Sequence, residues 1–331
     1  MDRRAFLGGL ALGILGVPRV APAQPARKLY RIGILGSRAP ISAMVGPQPR
    51  DAGVIALLRG LHELGYMYGE HFVTEPRSGE GKPERYPIVA AELVRHQVDV
   101  IVADGPVLPA LKQATSVIPV VMAAAGDPVR EGFVQSLGRP GGNFTGLSLQ
   151  LVETTVKRLE LLKELVRGAA PVAVLRSDPA GLISWQAAES AAKERGWKLI
   201  SLVIRNADEI EAAFKEAARK RAGGLLVLPI GLLDPHARRI AELAAKSQLP
   251  AMYGLRFYVE AGGLICYSAD PVEMWRRTAV FVDKILKGAK PADLPVEQPT
   301  KFDLVINLKA ARSIGLTIPQ QFLARANEVL Q

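Results

Sequence analysis

Short apolar runs alternate with amphipathic stretches along most of the chain. Tyr30–Ser37 (YRIGILGS) is a nearly continuous apolar run that ends in a glycine turn, and it predicts a buried strand. Val54–Leu64 follows, with its apolar residues on one stripe of a helix. Three further strands are predicted within HFVTEP, VDVIVADG and IPVVMAAA, with helices at Glu84–Gln97 and Leu108–Thr115 between them. Continuous apolar strands separated by helices indicate a parallel sheet that is covered on both faces.

The same order of elements recurs in the second half of the chain. The runs PVAVLRS, KLISLVIR, GGLLVLPIG and LPAMYG correspond to the four strands of the first half. Any two α/β segments share such alternation, so the matching turns between the elements are what favour a true repeat. Gly65 and Gly196, for example, each stand between a helix and an aromatic residue that precedes the next strand. The repeat predicts an α/β fold with two Rossmann-like lobes, each built on a parallel sheet.

Two segments rich in glycine and proline indicate where the chain passes between the lobes. GRPGGNFTG stands between the repeats, and KPADLPVEQP follows a helix that Asp270 and Pro271 begin. The strand KFDLVIN and two short helices end the chain. We expect a hinge of three crossings, near residues 143–146, 268–270 and 295–300. Residues 28–144 and about 270–296 would then form the first lobe, and residues 145–269 and about 297–331 the second.

The N-terminal residues have the features of an export signal. Arg3 and Arg4 precede an apolar run of about 12 residues, which is shorter than the roughly 20 that a membrane-spanning helix needs. The sequence APA that ends at Ala23 suits a signal peptidase, so residues 1–23 are predicted to be a signal peptide cleaved after Ala23. RRAFL also resembles the twin-arginine signal, which leaves the export route open. An ordinary N-terminal helix is the alternative; the signal predicts a mature protein in a bacterial periplasm.

Composition argues against several classes of function. The chain has a net charge of +10, and loss of the signal peptide, with three arginines and one aspartate, would lower it to +8. The basic residues are dispersed among acidic ones, as in KRLELLKELVR, and an exported protein rarely meets nucleic acid. No nucleic-acid partner is therefore expected. The single cysteine, Cys266, excludes an internal disulfide and a lipid anchor near the cleavage site.

Motifs for catalysis and for cofactor binding are missing from the sequence. There is no G-x-S-x-G pattern, and GEGKP lacks parts of a phosphate-binding loop. The histidines show no spacing typical of a metal site: His62, His71, His96 and His236. Three aspartates adjoin a proline, which favours a helix cap over a catalytic acid: Asp178, Asp234 and Asp270. We therefore expect no catalytic residue, no cofactor and no metal, and we expect that the protein is not an enzyme.

Several blocks of sequence resemble one family of binding proteins. They are GDPVREGFVQSLGRPGGNFTG, KRLELLKELV, ILKGAKPADLPVEQPTKFDLVINLKAARSIGLTIP and FLARANEVL. In these blocks the chain resembles the ABC-transporter substrate-binding family that includes tryptophan- and tyrosine-binding, TrpX-like proteins. The resemblance runs from about Tyr30 to the C-terminus. It implies a type I periplasmic binding protein fold, with two lobes and a hinge, in a monomer that delivers its solute to a membrane permease and an ATPase.

The resemblance does not carry the identity of the solute. The first loop of this chain, GSRAPISAMVGPQPRDAG, departs from the aromatic-amino-acid binders and is longer. Two other functions remain as alternatives: a periplasmic ligand-sensing module for a signalling partner, and an exported hydrolase on the same scaffold. The leading hypothesis is a periplasmic solute receptor for an ABC importer, which captures a small carboxylate-bearing solute.

The ligand is expected where strands of both lobes end. In an open parallel sheet, ligands bind beyond the carboxyl ends of the strands, and in two facing lobes those ends line one cleft. Helices begin shortly after several of these ends, so backbone N–H groups would favour an anionic group. The candidate ligand-binding residues are Ser37, Arg38, Asp104, Gly105, Gly126, Asp127, Ser177, Asp178, Gly231, Tyr253 and Tyr267.

Each of these candidates also has a purely structural interpretation. Arg38 is predicted to clamp a carboxylate, or else to be a loop charge. Asp104 or Asp127 would take an ammonium group, although Asp127 also suits a cap on the turn at the following proline. Tyr253 and Tyr267 would cover an apolar or aromatic body, or else pack against the surface of their own lobe. The glycines among the candidates would otherwise be tight turns only.

Overall fold

The computed structural model describes residues 28–166, 168–178 and 181–331. The predicted signal peptide, and the cleavage after Ala23, lie outside the described residues. Within the described ranges, no helix is long and apolar enough to cross a membrane.

Within those residues, the first sheet has five parallel strands in the order β2-β1-β3-β4-β5. Its strands are β1 Tyr30–Gly36, β2 Phe72–Ser78, β3 Val100–Asp104, β4 Val120–Ala125 and β5 Phe144–Ser148. The helices of this part are α1 Ile41–Met44, α2 Ala52–Glu63, α3 Tyr86–Arg95 and α4 Leu108–Ala114.

The second sheet has seven strands in the described residues, in the order β12-β11-β10-β9-β8-β6-β7, and only β10 and β11 pair antiparallel. Its strands are β6 Val172–Arg176, β7 Leu199–Val203, β8 Gly224–Val227, β9 Ala251–Tyr253, β10 Ile265–Ser268, β11 Asp303–Asn307 and β12 Glu328–Leu330. The remaining helices are α5 Leu151–Leu165, α6 Leu182–Glu194, α7 Ile210–Arg219, α8 Ala237–Lys246, α9 Phe257–Glu260, α10 Pro271–Leu286, α11 Leu308–Ser313 and α12 Gln320–Leu323.

Each sheet buries both of its faces, as the continuous apolar strands predict. On one face of the first sheet, Leu35 and Ile101 belong to a core with α3 and α4. On the other face, Ile34 and Val102 belong to a second core with α2 and α10. The second sheet is covered in the same way by two further cores. The prediction of an α/β fold with two mostly parallel sheets is confirmed. Successive apolar side chains of a strand point to opposite faces of the sheet, so both faces need a covering layer of helices.

Helix α10 follows the second sheet in sequence but packs on the first. It lies against α2 and β4, and a Cβ atom on Gly60 of α2 would stand only 2.5 Å from the carbonyl oxygen of Arg276. The side chain of Asp270 begins the helix by accepting hydrogen bonds from Val272 N at 2.8 Å and Glu273 N at 3.4 Å. The part around the first sheet is therefore built from two separate segments of the chain, one before the second sheet and one after β10.

The predicted boundary of the first lobe at residue 144 is wrong, because β5 continues the first sheet to Ser148. Val120 and Val121 of β4 pair with Phe144 and Thr145 of β5. Gly146, which suggested a connector, instead has φ +127° inside this strand, and a Cβ atom there would lie 2.3 Å from the carbonyl oxygen of Met122. The glycine permits close strand approach, so the first crossing follows Ser148.

The later crossings connect the same two parts. Ala269 and Asp270 link β10 to α10. After α10, the backbone N–H of Glu297 donates to the carbonyl oxygen of Gly146 at 2.9 Å, so the chain still runs beside β5 at that point. It then passes to β11 in the second sheet. We refer below to the part around the first sheet, with α10, as the first lobe, and to the part around the second sheet as the second lobe.

Candidate ligand-binding cleft

A cleft of about 1690 Å³ lies between the two lobes. It is lined by residues that follow the carboxyl ends of strands in both sheets, because the strands of both lobes end toward the same gap. Eight of the sequence-predicted residues line it: Ser37, Arg38, Asp104, Gly105, Gly126, Asp127, Ser177 and Gly231. The expectation that strand ends from both lobes meet in one cleft therefore matches the geometry.

The two lobes touch across part of this cleft. The guanidinium carbon of Arg38, in the loop after β1, lies 3.9 Å from the centre of the Phe257 ring at the start of α9. On another loop pair, a Cβ atom built on Gly231 would lie 3.3 Å from Cβ of Pro106. Arg38 is thus engaged with an aromatic ring of the opposite lobe, a contact in which the cation is attracted to the face of the ring.

Phe257 is the outer member of a stack of aromatic rings. The ring centres of Phe257 and Tyr258 are 4.7 Å apart, and those of Tyr258 and Tyr253 are 5.0 Å apart. Tyr253 is fully buried in the core of the second lobe and does not line the cleft. The prediction that Tyr253 covers the ligand is therefore wrong, because its position on β9 directs it under α9 rather than beyond the strand end.

Asp104, at the end of β3, presents one unpaired carboxylate oxygen. Its Oδ2 accepts hydrogen bonds from the backbone N–H of Ser37 at 3.0 Å and from the Ser37 hydroxyl at 2.7 Å. Its Oδ1 is buried and has no hydrogen-bond partner among the described residues. Burial raises the pKa of Asp104, while the Ser37 hydrogen bonds and the charge of Arg38 act in the opposite direction.

Asp234 contributes a second buried carboxyl group from the opposite lobe. Its relative exposure is 9%, and it accepts a long hydrogen bond of 3.4 Å from the Tyr258 hydroxyl. Burial raises the pKa of Asp234 to about 6, with Arg38 opposing the rise and Asp104 adding to it. The prediction that Asp234 caps a helix is wrong: Leu233 occupies the cap position, and the Asp234 side chain faces the cleft.

Asp127 has a structural role in its own turn. Its carboxylate accepts a hydrogen bond from the backbone N–H of Arg130 at 3.1 Å, and Glu131 accepts one from the backbone N–H of Asp127 at 2.8 Å. Burial raises the pKa of Glu131. Asp127 lines the cleft but is occupied as a cap, which is the structural alternative that the sequence offered.

Two other predicted residues lie away from the cleft. Asp178 is exposed and pairs with Arg176, whose guanidinium also lies over the ring of Trp185. Tyr267 stacks on Phe302 with ring centres 5.5 Å apart, and it does not line the cleft. Both side chains are engaged by these partners outside the cleft, so their assignment to the ligand site is corrected.

The start of α6 opens into the cleft without a side-chain cap. Gly181 stands at the cap position, and Ile183 and Ser184 of the first turn line the cleft together with Ser177. The free N–H groups and the helix dipole at such a start favour an anionic group. The start of α10 also reaches the cleft, but Asp270 already occupies its N–H groups.

Acidic side chains dominate the ionisable lining of the cleft. Among the described residues, eight carboxylates line it: Asp51, Asp104, Asp127, Glu131, Asp234, Glu260, Asp270 and Asp303. Three basic residues line it: Arg38, Lys112 and Arg256. No group of three or more His, Cys, Asp or Glu in the described ranges is arranged to hold a metal ion.

Several residues of the cleft carried no signal in the sequence. Phe257 and Trp275 belong to helices, and they reach the cleft only because α9 and α10 pack beside it. Tyr86, at the start of α3, lines the cleft as well, and burial raises its pKa to about 12. A pattern of strands and turns indicates strand ends, but it does not indicate which helix flank faces the opposite lobe.

Comparison with known proteins gives one family. Residues 39–330 match the family model described as ABC transporter substrate binding protein. A tyrosine-binding protein from Clostridioides difficile is 24% identical over 279 residues, covering 83% of this chain and 80% of the relative.

Solved structures give the same picture of the fold. A conserved domain protein from Vibrio cholerae matches with a TM-score of 0.81 and 27% identity, over 91% of this chain and all of that one. The ABC domain in complex with L-Trp from Streptococcus pneumonia matches with a TM-score of 0.81 and 25% identity, over 92% of this chain and all of that one.

Proposed function

The chain belongs to the ABC transporter substrate binding protein family, and we propose that it is the periplasmic solute-binding component of an ABC importer. Its solute is a small carboxylate-bearing molecule, an amino acid or an organic or aromatic acid, held between the lobes. The observation that carries the proposal is the cleft of about 1690 Å³, which both lobes line with the ends of their strands. A cavity of that size exceeds the usual volume of a small-molecule pocket, so it has room for a solute with water.

The start of α6 supports a carboxylate in the solute. Ile183 and Ser184 of its first turn line the cleft, and Gly181 at the cap position provides no capping side chain. An anion placed there is stabilised by the helix dipole and by hydrogen bonds that the helix itself cannot use. The relatives favour the same chemistry, because one is named for tyrosine binding and another was solved with L-Trp, and both ligands bear a carboxylate.

The protein acts by binding and release rather than by turnover. The lobes close over the solute, and the closed form presents it to a permease whose ATPase drives import. Export to the periplasm is part of this proposal, and it depends on the predicted signal peptide of residues 1–23. The buried carboxyl groups of the cleft, Asp104 and Asp234, serve as hydrogen-bond acceptors for the solute and not as acid and base in a reaction.

Native mass spectrometry of protein purified without refolding tests the proposal directly. A retained small molecule of unchanged structure is the expected result, and calorimetry with that molecule then gives its affinity. A thermal-shift screen of amino acids, aromatic acids, dicarboxylates and neutral sugars covers the case in which the solute is lost during purification. A neutral sugar as the tight ligand would contradict the proposed solute class, and a converted product would favour a hydrolase.

A further inference from the structure

We propose that the solute carries a positively charged nitrogen, and that this nitrogen binds between Asp104 of the first lobe and Asp234 of the second. The inference rests on the proposed function and narrows its ligand: amino acids and amines fit, whereas acids without an amine do not. Four features of the cleft lead to it, and each concerns charge or hydrogen bonding at the contact between the lobes.

The first feature is the unpaired oxygen of Asp104. Ser37 holds Oδ2 with two hydrogen bonds, which fixes the direction of the carboxylate. Oδ1 is left buried without a partner in the described residues. A buried acceptor without a hydrogen bond is unfavourable, because it has lost its hydrogen bonds to water and gained none in return. A ligand that donates an N–H to Oδ1 removes this cost, and a cationic donor also neutralises the buried charge.

The second feature is the position of Asp234 opposite Asp104. The loop after β3 carries Asp104 and Pro106, and the loop after β8 carries Gly231 and Asp234. These loops touch, because a Cβ atom on Gly231 would lie 3.3 Å from Cβ of Pro106. The charge of Asp104 raises the pKa of Asp234, so the two carboxylates repel each other across the cleft. Closure therefore brings two negative charges together from separate lobes.

The third feature is the local charge balance. Arg38 is the cation that acts on both carboxylates, and it lies against the ring of Phe257. One positive charge opposite these two carboxylates leaves an excess of negative charge, and Asp51, the cap of α2, adds to it near Asp104. The neutral phenols of Tyr86 and Tyr258, which also lie near these groups, do not compensate for it. A cationic group of the solute reduces this excess, while an amine-free acid adds a further negative charge.

The fourth feature is that the other basic residues of the cleft are engaged elsewhere. Lys112 donates to the carbonyl oxygen of Gly132 at 2.7 Å. Arg256 forms two hydrogen bonds with Glu328, at 2.7 and 2.9 Å, and one with Glu260 at 2.9 Å. Neither side chain is available to neutralise Asp104 or Asp234, so the missing positive charge has to come from the solute.

The ligand test uses matched triplets that differ only in the charged groups. The probes are L-tryptophan, tryptamine and indole-3-propionate, then L-tyrosine, tyramine and 3-(4-hydroxyphenyl)propionate, with the same comparison made for any other solute that co-purifies. Calorimetry on the full mature chain measures each affinity. We expect the deaminated acid of a bound amino acid to bind at least about 30-fold more weakly, as for loss of one member of a buried charged pair.

Three variants separate this inference from a general effect of charge. Asp104→Asn and Asp234→Asn keep the size of the side chain and remove its charge. Asp208→Asn is the control, because Asp208 is an exposed carboxylate of the second lobe that does not line the cleft. We expect each test variant to weaken binding of the amine-bearing ligand at least about 10-fold, and the control to stay within threefold of the unchanged protein.

The outcomes discriminate between the two proposals. Tight binding of an amine-free acid, with its affinity unchanged in Asp104→Asn, would overturn this inference and leave the proposed function in place. Stabilisation by Ca²⁺ or Mg²⁺ alone, abolished by a chelator, would also overturn it, because the carboxylates would then serve a metal. If no probe binds and no solute co-purifies, the proposed function fails, and this inference fails with it.

Discussion

The guanidinium of Arg38 lies 3.9 Å from the centre of the Phe257 ring, although the two residues belong to different lobes. The sequence suggested that Arg38 clamps a carboxylate or is a loop charge, and in the structure its guanidinium contacts an aromatic ring of the other lobe. The arginine joins the two lobes at this point, and its charge opposes the rise in the pKa of Asp104 and of Asp234. Its partner Phe257 could not be identified from the sequence, because the contact depends on how the lobes face each other.

A double-mutant cycle on this pair measures its contribution to closure. We expect Arg38→Met and Phe257→Leu each to weaken binding of the solute about 2- to 30-fold, because a cation–ring contact contributes about 0.5–2 kcal/mol. The double variant should lose little more affinity than the single variant that binds the solute less tightly. Calorimetry gives the affinities, and strictly additive losses would show that the two side chains act independently.

The stability of the ligand-free protein should depend on pH through Asp234. Its folded-state pKa of about 6 exceeds the ordinary value of 3.8, so ionisation opposes folding and the free energy of unfolding falls as the pH rises from about 4 to 6. Asp234→Asn should show a smaller fall, because only Asp104 and Glu131 then contribute, and it should exceed the unchanged protein at pH 7 by up to about 3 kcal/mol. Urea denaturation across pH 4–7 checks this, with Asp303→Asn as the control, and equal pH profiles would contradict it.

A glycine pair tests whether β5 belongs to the first sheet. Gly146→Ala should destabilise the protein by more than about 2 kcal/mol, because its φ is +127° and the new Cβ would lie 2.3 Å from the carbonyl oxygen of Met122. Gly142→Ala is the matched control, since a Cβ there meets nothing within 4 Å. Denaturant midpoints distinguish the two, and similar values for both variants would argue against the strand.

The cap of α10 offers a further test of local stability. Asp270→Ala removes the acceptor for the N–H groups of Val272 and Glu273, so we expect a loss of about 1 kcal/mol. Asp293→Ala provides the control, because Asp293 ends a short helical turn and its side chain forms no hydrogen bond within the described part of the chain. Chemical denaturation measures both variants, and an Asp270→Ala protein as stable as the control would show that the cap contributes nothing.

Much of the fold could be predicted from the sequence because burial on both faces produces long apolar strands. That signal fails where a strand is short or interrupted: β5 contains Gly146 and follows a glycine-rich turn, and β12 spans only Glu328–Leu330. The predicted ends of the strands also identified eight residues that line the cleft. Asp234 and Phe257 were missed because their importance comes from residues of the opposite lobe, which no local pattern records.

The overall charge of the chain also gave a misleading indication about the cleft. A mature charge of +8 suggests attraction of anions, yet carboxylates outnumber basic residues among the described residues that line the cleft. Dispersed surface charges act at long range and are screened by salt, whereas the buried carboxylates act directly on a bound solute. A positively charged protein surface and an acidic cleft are both compatible with a solute that carries a positive and a negative charge.

The return of α10 to the first sheet has a consequence for biosynthesis. Because Pro271–Leu286 covers β4 and α2, the core of the first lobe remains incomplete until the chain beyond residue 286 has left the ribosome. The sheet of the second lobe is likewise incomplete without β11 and β12, which lie near the C-terminus. Neither lobe can therefore be completed before the C-terminal part of the chain is available, and both are completed late. A truncation before α10 would leave apolar surfaces exposed in both halves, as targets for proteases and chaperones.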